Sequence, residues 1–253
     1  MTGEGGRLAG RVCVVTGAAS VLGRAVADRF DREGGTVVGI DVEGHEVGEL
    51  ALRADLTDEV AVESAFDQVV GRYGRFDVLY NNVGLMDRGD LSALHTDLAT
   101  WRRVQDANLT ACFLSCKHGV ERMRRTVPAG GSVINASSFL GAIGAATAQM
   151  SFAAAKAGVV QLSRDLGVHL ARSGVRVNAV LFGPIDTPAQ RAVFDRNPGS
   201  LEKRLVHWPM GRFGTLAEAA GTVAFLASDD SGYITAAAIP LDGGITSAFT
   251  VPE

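Results

Sequence analysis

Phe152 and Lys156 stand four residues apart in the run Gln149-Met150-Ser151-Phe152-Ala153-Ala154-Ala155-Lys156. On a helix that spacing stacks the ring and the ammonium on one face. Upstream, Gly131 to Ser138 reads Gly-Ser-Val-Ile-Asn-Ala-Ser-Ser, a β-rich run that ends on two hydroxyls. A strand-end serine beside a lysine and a ring has the makings of an active site. The ring, however, carries no oxygen, so it neither gives nor takes a proton. Ser151 does not replace it, because one helical step turns it about 100° off the 152/156 face. Tyr73, Tyr80 and Tyr233 are the chain's tyrosines, and none lies near in sequence. His207 and the acids of residues 186–207 become candidate proton donors if that segment folds over the site as a lid.

The elements that must position these groups follow from composition and order. The chain has 253 residues, 47% of them hydrophobic, enough for one large α/β domain with a full core. A net charge of −4 without long charged runs gives no reason to expect nucleic acid as a partner. The N-terminal stretch to Gly10 is Gly-rich and lacks an apolar signal segment, so a cytoplasmic protein is expected. Thr126 to Ala155 is free of charge, but Pro128, Gly130, Gly131, Asn135 and several serines break it. That stretch reads as strand, loop and helix start, and no membrane span is expected. The histidines are scattered and the three cysteines fall in apolar contexts, so reduced buried thiols are expected and no metal site.

Arg11–Thr16 is a short β-rich run, followed by the glycine turn Gly17 to Gly23. A helix follows from Arg24 to Glu33 and is stopped by Gly34-Gly35. Thr36–Ile40 is the next strand, ending on Asp41. Strand, glycine turn, helix, strand and acid form a dinucleotide-binding unit, with backbone N–H groups at a helix N-terminus favouring a pyrophosphate. Asp41 suits the ribose hydroxyls and repels a 2′-phosphate. No Arg or Lys lies in the turn or at Val42 to offset it, so NAD is favoured over NADP. Beyond it, strands are expected at 49–53, 76–80, 132–136, 175–181 and 236–241. Thr57 is expected to cap a helix to about Arg72. One long helix, or two in series, is expected over 97–125, with further helices at 151–173 and 215–228, and an irregular segment to Phe213. The alternation calls for a Rossmann-type, doubly wound parallel sheet of about seven strands with helices on both faces. Residues 1–253 read as a single domain, with a substrate lid at about 184–213.

From Arg11 to Gly244 the chain resembles the short-chain dehydrogenase/reductase family. The marks occur in order: Thr16-Gly17 to Gly23, Asp55, Asn81-Asn82-Val83-Gly84, Asn108 within Asn-Leu-Thr, Ser138, Lys156, and Gly183-Pro184 to Thr187. Asp242–Ala248 and the closing Pro252-Glu253 resemble the family's actinobacterial, NAD-using branch. The resemblance implies that Gly17, Ser20, Val21 and Leu22 lie along the pyrophosphate and adenosine ribose, and that Asp41 binds that ribose. Asp55 and Leu56 would flank the adenine. Asn82 and Gly84 would line the adenosine side. Pro184, Ile185 and Thr187 would hold the nicotinamide carboxamide end. Lys156 would bond the nicotinamide ribose, Asn108 would hold a relay water, and Ser138 would bond the substrate oxygen. At position 152 the family uses a tyrosine that passes the proton.

The departures matter as much. Position 152 is Phe, and position 21, usually the second glycine of the turn, is Val, where a side chain stands near the pyrophosphate. Val83 and Phe182 replace Ala and Pro, and the spacer between Ser138 and Phe152 is one residue longer than usual. Val21 favours divergence over a directed Tyr→Phe change.

Three functions fit. The first is an NAD-dependent alcohol dehydrogenase or ketone reductase, impaired by Phe152 or using another donor. The second is a non-redox enzyme using Ser138 and Lys156 for proton transfer, dehydration or cyclisation. The third is a catalytically silent NAD-binding protein. The expected substrate is a small molecule, apolar and cyclic or aromatic, with Phe139, Met150, Phe194, Trp208 and Met210 as candidate lining. Apolar faces on the helices at 97–125 and 151–173, together with the family's habit of pairing them across two-fold axes, imply a homotetramer.

Overall fold

The computed structural model describes residues 6–144, 148–196 and 199–249. Residues 1–5 of the Gly-rich start, the closing Pro252-Glu253, residues 145–147 of the lengthened spacer and residues 197–198 of the lid segment lie outside the described residues.

Among the described residues, seven strands form one parallel sheet in the order β3-β2-β1-β4-β5-β6-β7. They are β1 Val12–Thr16, β2 Thr36–Asp41, β3 Leu50–Arg53, β4 Val78–Asn81, β5 Gly131–Ser138, β6 Val175–Phe182 and β7 Ala238–Leu241. Helices α1 Val21–Arg32, α2 Glu59–Tyr73, α3 Leu98–Gln105, α4 Ala111–Arg125, α5 Met150–Leu170, α6 Pro188–Asp195, α7 Ser200–Leu205 and α8 Leu216–Ala227 connect them. None among the described residues is long and apolar enough to cross a membrane.

Alternate strand residues point to opposite faces, so each valine-rich strand feeds two cores. Val14, Leu79 and Val133 pack with Phe66, Val69 and Met123 of α2 and α4. Val15, Tyr80 and Ile134 pack with Val26, Phe30 and Leu226 of α1 and α8. A polar chain crosses the first core. Asn81 Nδ2 donates to Asn135 Oδ1 at 2.8 Å, Asn135 Nδ2 donates to Ser163 Oγ at 2.9 Å, and Ser163 Oγ donates to the Val159 carbonyl at 2.7 Å. All three cysteines are buried free thiols, and Cys116 lies against the Asn81–Asn135 pair.

Local expectations are refined at four places. Asp58, not Thr57, caps α2, its carboxylate accepting from Val60 N at 2.9 Å, while Thr57 donates to Asp55. The 97–125 stretch is two helices in series, joined by a π-helical turn at Asp106–Thr110. The segment after β6 is not irregular: Thr187 caps α6 and Pro188 opens it, and α7 follows. Thr215 caps α8 as expected, and Glu218 completes a reciprocal capping box with it.

Candidate active site

The residues singled out in sequence gather at the carboxyl ends of the parallel strands, where open α/β sheets place their ligand crevice. Gly17 leaves β1 with φ +63°, and a Cβ added there would meet Asn82 Nδ2 at 3.0 Å. Gly23 is tighter still: a Cβ would stand 2.2 Å from the Gly17 carbonyl oxygen. Ser20 caps α1, its Oγ accepting from Gly23 N and donating to Gly17 O. Asn82 Nδ2 donates to both Ser20 Oγ and Gly17 O, tying the end of β4 to the turn. Leu22 packs inward against the α1/α8 core, while Val21, at the start of α1, is 41% exposed and lies outside the core.

Asp41 ends β2, nearly buried. One carboxylate oxygen accepts from Ala19 N at 2.9 Å and the other from Glu43 N at 3.0 Å. The acid is thereby fixed against the turn. Two guanidiniums that sequence order did not reveal bond to backbone on either side of it. Arg24 Nε donates to Ala19 O at 3.1 Å, and Arg53 Nε donates to Val42 O at 2.9 Å. Asp55 is exposed and bonded to Thr57, next to the buried Leu56. This turn, with its bare glycines and fixed acid, fits a dinucleotide.

Lys156 lies at the far end of the same crevice, buried, with Nζ donating to the Ala136 carbonyl at 3.0 Å and standing 5.5 Å from the Phe152 ring centroid. Ser137 Oγ donates to the Lys156 carbonyl, which fixes α5 on the end of β5. Ser138 is also buried, its Oγ accepting from Leu140 N at 3.2 Å. Asn108 sits in the π turn between α3 and α4, a distortion that often marks functional positions. Its Nδ2 donates to the Leu85 and Val104 carbonyls, and its Oδ1 accepts from Leu85 N. A Cβ at Gly84 would touch both Asn108 Oδ1, at 3.0 Å, and Lys156 Nζ, at 3.3 Å. Gly84 is thus the bare backbone between these two side chains. Ile185 is buried and bridges Gly214, next to Pro184 and the capping Thr187.

The candidate substrate lining is dispersed. Phe194 and Trp208 bury each other with Phe213, at centroid separations of 5.1–6.2 Å, and form a small core for the α6–α7 segment. Met210 lines a cavity of about 480 Å³ with Pro184, Ile185, Phe225 and Leu241. Met150 lines another of about 300 Å³ with Leu98, Trp101 and Ser151. Neither cavity is lined by Ser138 or Lys156. Asp186, a candidate donor, is held in a two-bond pair with Arg191. Sequence reasoning missed Asp90, whose buried carboxylate accepts from the backbone N–H groups at the start of α5.

Burial lowers the Lys156 ammonium from its ordinary 10.5 to about 8, with the Cys112 thiol acting in the opposite direction. The fold therefore disfavours the charged form. That cost is full below about pH 8, fades toward 10.5 and is gone above it. Lys156→Met is expected to raise the melting temperature of the unliganded protein at pH 7 by the equivalent of ~1–3 kcal/mol. The gain should shrink toward pH 10. Thermal scans of both proteins at the two pH values check it, and a loss of stability at pH 7 would count against it.

The family model described as enoyl-(acyl carrier protein) reductase matches residues 17–246. The chain belongs to the short-chain dehydrogenase/reductase family. Among this family's members, cis-4-hydroxycyclohexanecarboxylate dehydrogenase of Sinomonas cyclohexanicum is 39% identical over 256 residues, covering 96% of this chain and 99% of that protein. Levodione reductase of Leifsonia aquatica is 34% identical over 262 residues, covering 96% and 97%. The crystal structure of levodione reductase matches this fold with a TM-score of 0.88 at 33% identity, covering 96% of this chain and 100% of that one. Dehydrogenases and reductases of this family use nicotinamide cofactors on small molecules, and the chain's relatives among them support an oxidoreductase.

Proposed function

We propose that the chain is an NAD-preferring oxidoreductase that interconverts a secondary alcohol and its ketone on a cyclic or aromatic substrate. In this reading its proton transfer is slowed, or rerouted, by Phe152. The observation that carries the reading is Lys156. A buried ammonium held beside Ala136, Gly84 and Asn108 destabilises the fold, and a crevice without chemistry has no use for it. The names of two relatives, a cyclohexanecarboxylate dehydrogenase and levodione reductase, support a ring-bearing substrate.

Gly17, Ser20, Val21, Leu22 and Asp41 would hold the pyrophosphate and adenosine ribose, with Asp55 and Leu56 beside the adenine. Asn82, Gly84, Pro184, Ile185 and Thr187 would line the rest. The nicotinamide, when bound, supplies the hydride acceptor or donor. Ser138 Oγ orients the substrate oxygen. Lys156 Nζ, its ammonium lowered to about 8 by burial, holds the exchangeable proton, and Asn108, fixed on the Leu85 carbonyl, would hold a water that relays that proton to solvent. The α6–α7 segment serves as the lid of one domain spanning the chain.

A second reading is favoured by the same lysine beside a ring that lacks an oxygen. Ser138 and Lys156 could carry out proton transfer, dehydration or cyclisation without net redox change. Incubating the protein with a panel of cyclic alcohols and ketones decides between them: the first reading requires nicotinamide absorbance to change with product, and the second requires product without that change. A silent NAD-binding protein would give neither.

A cytoplasmic homotetramer fits the half-open apolar side chains of α4 and α5, with Phe113 48% and Val168 73% exposed. Light scattering at micromolar concentration is expected to give four chains, or at least two. A monomer would count against the assembly.

A further inference from the structure

We propose that Asp90 is a positioning residue that fixes where α5 begins, and so where position 152 stands against the sheet. The inference rests on the oxidoreductase reading above for its effect on turnover.

Helices α1, α3, α6 and α8 take their N-terminal caps from the residue that opens them: Ser20, Asp97, Thr187 and Thr215. The start of α5 is held from far upstream instead. Asp90 Oδ1 accepts from Ser151 N at 2.9 Å and Oδ2 from Phe152 N at 2.8 Å, across 61 and 62 residues. The carboxylate is only 2% exposed. An anion at a helix N-terminus is favoured by the helix dipole and by the N–H groups that lack intrahelical partners. Here both oxygens are spent on consecutive N–H groups, one of which belongs to the residue at the proton-transfer position.

The loop that carries Asp90 is sewn to the same place by further bonds. Met150 N donates to the Leu91 carbonyl, and Leu91 N donates to Thr96 Oγ1. Arg103 donates to Asp87, and Gln105 Nε2 donates to the Ser151 carbonyl. This loop begins at Asn82 and Gly84, the proposed cofactor wall. Asp90 thus links that wall to the first turn of α5. Lys156, by contrast, is anchored separately, through Ala136 and through Ser137. Release of Asp90 would loosen position 152 and leave Lys156 in place. A cap that served stability alone would move both together, along with cofactor binding.

The test uses the Phe152→Tyr background, with Asp90→Ala and the gentler Asp90→Asn, which keeps size and one acceptor oxygen. A misplacement of about 1 Å costs on the order of 10²-fold, so kcat should fall roughly 10²-fold for Asp90→Ala and about tenfold for Asp90→Asn. The NADH dissociation constant and the substrate KM should hold within about twofold, well inside that drop. Hydrogen exchange on the unliganded parent chain gives a readout free of activity. Asp90→Asn should speed exchange at the Ser151 and Phe152 amides and leave residues 160–170 protected. Unchanged kcat in Asp90→Ala, unchanged exchange in that first turn, or loss of kcat, KM and NADH binding together would each overturn the proposal. If Phe152→Tyr itself forms no NADH, the oxidoreductase reading fails. The exchange of the first turn then decides by itself whether Asp90 sets the start of α5.

Discussion

Phe152→Tyr is expected to raise NADH-linked oxidation of a cyclic or aromatic secondary alcohol by roughly 10²–10⁴-fold, the worth of a positioned general acid or base. The rest of the machinery is in place. Ser138 ends β5, and Lys156 already stands against the ring, 5.5 Å from its centroid. A cation at that place lowers the pKa of a phenol introduced there. Position 152 is half-buried at the third residue of α5 and outside the buried core clusters, so room for the added oxygen is expected. Val21, exposed at the cofactor turn, sets the condition that the comparison be run at saturating NAD. NADH formation by both proteins on one alcohol panel is the measurement. No gain on any substrate, with NAD binding demonstrated by titration, would hand the case to the non-redox reading. Carbonyl turnover by the Phe152 protein at constant NADH would support that reading directly.

NAD is expected to bind on the order of 10²-fold more tightly than NADP, because like charges brought together cost several kcal/mol and each 1.4 kcal/mol is tenfold. The opposing charges are Arg24 and Arg53, which bond the backbone at Ala19 and Val42 on either side of Asp41. They are exposed, so water and salt screen them. Asp41 is nearly buried and held rigid by two backbone N–H groups, so its repulsion wins. Asp41→Asn keeps an acceptor but drops the charge, and should remove most of that preference, a change on the order of 10²-fold. Both dissociation constants, measured by calorimetry at moderate salt, check the claim. Tighter binding of NADP to the parent chain would reverse it.

Much of the fold and of the candidate site is legible in the sequence. Strands β1, β2 and β6 announce themselves as valine-rich runs, and the dinucleotide unit as strand, turn, helix and acid. The placements of Ser138, Asn108 and Lys156 follow from order and resemblance. What escapes is long-range or local in a way that periodicity does not register. Asp90 acts across 61 residues, and Arg53 reaches Val42 only because β3 lies beside β2. The burial of Lys156 depends on the packing of α5 over β5. Phe194 and Trp208 are two of a tripod of rings, which no spacing rule predicts. Helices α6 and α7 are short and partly polar, and only Thr187-Pro188 signals the first of them.

A sheet built from runs of valine faces an ambiguity of alignment, since a strand shifted along its neighbour still finds apolar company. The Asn81–Asn135 pair removes it. These two residues are opposite partners across β4 and β5, and their amides meet only in that alignment. A slip of β5 by one residue would turn the Asn135 amide to the other face and leave Asn81 without it. At ~1–3 kcal/mol for each buried group left unpaired, such a chain forfeits a large share of a domain's net stability. The pair, with Ser163 behind it, therefore works as a key for assembly: it adds little to the stability of the correct sheet and makes the neighbouring misaligned ones costly.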